Sequence, residues 1–70
     1  MELVIIGWKP GVKTISLMDT LRHYKGIGLK HAKQEVDALL AGQFIHLPNL
    51  DAEALAKAKA ELEALGCVCR

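Results

Sequence analysis

Two glycines separated by one residue, Gly26 and Gly28, interrupt a stretch whose apolar positions otherwise follow a helical period. Ahead of them Ile15, Leu17, Met18, Leu21 and Tyr24 recur at helical spacing. After them come Leu29, Ala32, Val36, Leu39 and Leu40. The pattern predicts one amphipathic helix from Lys13 or Thr14 to about Tyr24, and a second from Leu29 to about Leu40. A helix ends at little steric cost on a left-handed residue without a Cβ, so Gly26 is the expected stop. Gly28 would open the next helix at a sharp angle, with close backbone approach. Lys30, Lys33, Gln34 and Asp37 are left for the outer face of that second helix.

The flanking segments read as strands and a third helix. Leu3–Ile6 is a short β-branched run stopped by Gly7, and Gly7–Gly11 is a loop punctuated by Pro10-Gly11. Ala41-Gly42-Gln43 closes the second helix, and Phe44–Leu47 is a second strand ended by Pro48. Asn49 is a suitable N-cap for a helix from about Leu50 to Leu65, with Asp51 and Glu53 in its first turn. Leu55, Ala58, Leu62 and Leu65 would form its inner face. Glu53/Lys57, Lys57/Glu61 and Lys59/Glu63 would be outer pairs worth about 0.3 kcal/mol each. Gly66 ends that helix and Cys67–Cys69 is a last short strand. The order β-α-α-β-α-β predicts an α+β two-layer sandwich, a three-stranded sheet with three helices on one face.

At 70 residues this is one domain, spanning 1–70, with a thin core. Net charge is +1, but residues 1–33 carry +4 and residues 34–70 carry −3. One basic half favours an acidic partner. No signal peptide is visible and no stretch approaches a transmembrane length, so no membrane role is expected. Cys67 and Cys69, two apart in a strand, are expected as free thiols, which points to the cytoplasm.

The glycine turn also carries a resemblance. The family signature Gly-Leu-Gly-Leu-Lys-x-Ala-Lys is matched from Gly26 to Lys33 with Ile27 as the one exchange. Leu3 and Ile5 in the first strand, Gly11 in the loop, Arg22 near the end of the first helix and the run Asp51–Leu55 also match. On these residues the chain resembles the C-terminal domain of the bacterial ribosomal stalk protein, the large-subunit L-seven/L-twelve family. Alignment is gapless from Glu2 to about Val36 and the likeness covers nearly the whole chain. It departs at Thr14 and Asp19, where the family has lysines, and at His31, where it has glutamate. The family's N-terminal dimerisation and ribosome-anchoring region has no counterpart, so the expectation is a stand-alone homologue.

The resemblance implies a non-catalytic, translation-related domain that binds a GTPase factor or other protein through its first two helices. Position by position it implies a partner-binding set of Arg22, Leu29, Lys30 and Lys33, with Ile15 and Met18 as the apolar rim. The alternative is an adaptor or self-associating module that keeps the fold and changes partner.

Other chemistries have weaker support in the residues. A dinucleotide fingerprint would need a third glycine where His31 stands, and a strand rather than a helix before Gly26. His46 with Cys67 and Cys69 lacks a fourth metal ligand, so neither metal nor cofactor is expected. No nucleophile–base set can be argued from spacing, so no enzyme is expected. Trp8, Tyr24 and Phe44 are too few for a base-stacking platform, which argues against nucleic acid.

Strand alternation adds one expectation. With Leu3 and Ile5 facing the helices, Val4 and Ile6 face away, joined by either Val68 or the Cys67/Cys69 pair. An apolar open face of this kind suggests a homo-oligomer contact.

Overall fold

The computed structural model describes residues 1–70 in the order β1 (Leu3–Trp8), α1 (Thr14–Lys25), α2 (Leu29–Leu40), β2 (Ile45–Leu47), α3 (Ala52–Ala64) and β3 (Cys67–Cys69). The strands form one antiparallel sheet, β2-β1-β3, so the first strand in sequence is central. It is an α+β two-layer domain with the helices on one face of the sheet.

Inward-facing residues of every element build one core. Leu3 and Ile5 of β1 meet Leu17 and Leu21 of α1, Val36 and Leu39 of α2, Ala58 and Leu62 of α3, and Ile45, Leu47 and Cys67 of the outer strands. No polar or charged side chain is fully buried. The core therefore rests on apolar burial, at about 25 cal/mol per Å² removed from water.

Both helix ends at the glycine turn follow backbone chemistry. Gly26 takes φ 64°, and its N–H donates to the Arg22 carbonyl at 3.0 Å, as a left-handed C-cap does. Gly28 differs from expectation. It is extended (φ −78°), and a Cβ placed there would meet nothing within 4 Å, so no close approach occurs.

β1 runs two residues beyond Ile6 because a bulge between Ile5 and Gly7 absorbs the glycine. Ile5 pairs with Cys69, Gly7 with Val68 and Trp8 with Cys67. Val68 is thus the residue of β3 that faces outward, while both cysteines turn toward the helices. β2 is shorter than expected, with Phe44 outside it.

The third helix begins later than expected. Asn49 is not its cap: it adopts φ 61°, turning the chain after Pro48, and Asp51 takes the cap position instead. The Asp51 carboxylate accepts from the Ala54 N–H at 2.7 Å. Replacing Asp51 by alanine is expected to cost about 1 kcal/mol, and Asn49→Ala to leave the helix start intact. Thermal melts of the two variants check this ordering.

None of the three expected pairs along α3 closes. The chain's two ion pairs are Lys25–Glu35, which ties α1 to α2, and Glu2–His46 at 3.2 Å on the sheet. Exposed lysines gain too little from a helix neighbour to give up side-chain freedom.

Candidate functional site

The sequence nominates Ile15, Met18, Arg22, Leu29, Lys30 and Lys33, all carried by α1 and α2. On α1 the core direction is set by Leu17 and Leu21, both fully buried. At 100° per residue Ile15 lies roughly 140° from that direction, so it cannot reach the core. It is 71% exposed. Met18 sits at the border and is half-buried, packing against the core. Ile15, Met18 and Arg22 fall at i, i+3 and i+7, one stripe along the helix.

On α2 the buried residues are Ala32, Val36 and Leu39. Leu29 and Leu40 fall roughly 60° or more to one side of them. Period groups both with the apolar face, yet both are exposed, Leu29 at 56%. Leu29, Lys33 and Leu40 follow one another along that side of the helix, with Lys30 beside them. Leu40 continues the row but was not among the nominated residues, which came from the resemblance alone.

The two helices pack against each other around the Gly26 turn. The Lys25–Glu35 pair locks their relation, with both side chains partly buried. Arg22, Lys30 and Lys33 are exposed and take part in no ion pair. Asp19 and Asp37 lie on the same outward sides, so the surface is cationic in balance without being uniformly basic. None of the molecule's concavities is lined by any of the six nominated residues. Convex, with aliphatic side chains set among free cations, the surface suits a macromolecular partner better than a small ligand.

A groove lies on the opposite side of α2. It measures about 320 Å³ and runs between Ile27, His31 and Ala38 on one wall and Phe44 and Ile45 on the other. Phe44 lies half exposed at its rim because β2 starts one residue later.

The remaining reactive side chains lie apart from both regions. His46 pairs with Val4 on the outer face of the sheet, whereas Cys67 is buried on the helix side, so these two do not share a ligand sphere. Both cysteines are free. Burial pushes the Cys67 thiol up; burial, with lesser contributions from Cys67 and Glu63, pushes Cys69 up to about 11. As neutral thiols at physiological pH they are poor nucleophiles. Tyr24 donates to Glu61 at 3.2 Å, and desolvation followed by that carboxylate raises its pKa. No helix is long and apolar enough to cross a membrane. In the comparisons with known proteins no family model, no curated protein and no solved structure matches the chain.

Proposed function

We propose that this chain is a non-catalytic protein-interaction domain of the ribosomal-stalk C-terminal type, acting in translation in the cytoplasm. On this reading it binds a translational GTPase through the outward surface of α1 and α2. The observation that carries the reading is the pair of exposed aliphatics, Ile15 and Leu29, set among the unpaired cations Arg22, Lys30 and Lys33. Burying such an aliphatic side chain fully is worth about 1.5–3 kcal/mol, enough for two anchors to hold a partner that charge has steered into place.

The test is an NMR titration with a purified translational GTPase bound to a GTP analogue. Shifts are expected in Ile15, Arg22, Leu29, Lys30 and Lys33. The double variant Lys30→Glu/Lys33→Glu is expected to associate at least about tenfold more slowly at low salt, with the difference shrinking as salt rises. Its melting temperature should stay near the parent's, because both side chains are exposed. Shifts confined to α3, or an unchanged association rate, would contradict the assignment.

A further inference from the structure

The sheet's open face has a charge layout that selects one way of meeting a second copy of itself. The register places His46, Val4 and Arg70 in a row across the three strands. Val4 pairs with His46 on one side. On the other side it exchanges backbone hydrogen bonds with Arg70, at 2.8 Å from the Arg70 N–H and 3.5 Å from its own. All three side chains belong to the face away from the helices. The next row holds Ile6, Gly7 and Val68, because the bulge sets two residues of β1 opposite one of β3. Val4, Ile6 and Val68 are each half-buried, an apolar centre with no layer over it.

Charge flanks this centre asymmetrically. Along the β2 edge the Glu2 carboxylate meets His46 Nδ1 at 3.2 Å. At the β3 edge Arg70 is exposed and makes no ion pair. Acid therefore stands on one side of the apolar strip and base on the other.

Two twofold axes stack such a sheet on a copy with strands aligned. An axis running across the strands keeps β3 over the second copy's β3, so Arg70 meets its own counterpart or Val68 there and never the Glu2 side. An axis running along β1 exchanges the edges, so that β2 lies over the second copy's β3. Val4 and Ile6 then meet their own counterparts. Arg70 of each copy comes over His46 of the other, where the Glu2 carboxylate held 3.2 Å from that ring is the acid it meets, twice per pair because the contact is isologous. We infer that the domain self-associates through this face about the strand-parallel twofold, with the Glu2–Arg70 contact fixing the choice of axis.

The size of the face sets the strength. One strand of six residues flanked by two of three presents at most roughly 15 by 20 Å, so a pair buries no more than several hundred Å² in total. This falls short of the roughly 1,200 Å² of stable interfaces, and the pair is accordingly weak and concentration-dependent.

Charge exchange tests the axis directly. Sedimentation equilibrium and amide shifts are followed from about 50 µM to about 2 mM, with circular dichroism confirming that each variant folds. The parent is expected to show concentration-dependent shifts at Val4, Ile6 and Val68 but not at Leu29 or Lys30. Glu2→Arg and Arg70→Glu are each expected to weaken association about tenfold, by turning two attractions into repulsions. The double variant Glu2→Arg/Arg70→Glu should restore it to within about twofold of the parent, since each contact is re-formed with its signs reversed. Three results would overturn the inference. One is a parent that stays monomeric throughout. Another is concentration-dependent shifts on α1 and α2. The third is a double variant no better than the single ones.

Discussion

Gly66→Val is expected to be the most damaging single substitution in this chain outside the core. Gly66 holds φ +100° between α3 and β3, a conformation closed to a β-branched residue. Space is lacking as well: a Cβ there would stand 3.0 Å from the Val12 Cα and 3.4 Å from its Cβ. The approach is close because the Gly66 carbonyl accepts from the Lys9 N–H at 2.8 Å, and the neighbouring Leu65 carbonyl accepts from Lys13 at 2.9 Å. These bonds bind the β1–α1 loop to the end of α3. Strain alone costs about 1–3 kcal/mol, and displacement of backbone adds to it. Gly26→Val is the control. Gly26 shares the positive φ (64°), but its Cβ would find open space, so it should lose the strain contribution only. A domain of this size holds roughly 4–10 kcal/mol in all. Gly66→Val should leave little of that, and Gly66→Ala should still melt below Gly26→Val. Equal melting of the two valine variants would show that the Val12 contact does not matter.

Leu21→Ala should be as costly for a different reason. Leu21 is fully buried, and its loss removes apolar contact and leaves a cavity in a thin core. The expected loss is about 2–5 kcal/mol, and each kcal/mol lowers the melting temperature by about 4–8 °C in a domain of this length. Ile15→Ala on the same helix should change stability by less than about 0.5 kcal/mol, since Ile15 is mostly in water and alanine is the better helix former. The pair separates two sides of α1 that simple periodicity had merged. Should Ile15→Ala destabilise like Leu21→Ala, the outward surface proposed for partner binding would lose its apolar anchor.

That merging shows where the sequence was legible. The α1–α2 turn was readable because a left-handed cap has few chemical solutions, and Gly26 supplies one. Element order and the inward set Leu17, Leu21, Ala58 and Leu62 followed from period, whereas in the all-apolar first strand alternation leaves the side open and the resemblance placed Leu3 and Ile5 inward. Period fixes a direction only to within a helical turn, however, so it groups Ile15, Leu29 and Leu40 with the apolar face although all three are exposed, and only the resemblance set Ile15 and Leu29 apart as surface. Asn49 and Asp51 are both good caps by type. Which one serves depends on the turn after Pro48, a backbone matter that residue identity does not settle. The bulge at Ile6-Gly7 was hidden for the same reason, and with it the turning of Trp8 to the helix side. Among the six nominated binding residues, five are exposed and Met18 is half-buried.

The sheet order has a consequence for how the chain reaches its native state. Its central strand is made first and both its partners are distant: Ile5 pairs with Ile45, forty residues on, and with Cys69, sixty-four residues on. Met1 and Leu50 exchange two further backbone bonds of 2.7 Å each across the same gap. During synthesis α1 and α2 can form locally, but β1 has no neighbour until β2 follows them, and its other side stays open until β3, the last element. The loop closures that then join it are long ones, whose entropy must be met before any contact is gained. The sheet is therefore expected to be completed in a late step, and a ribosome-bound chain lacking its last few residues should leave the β3 side of β1 unpaired.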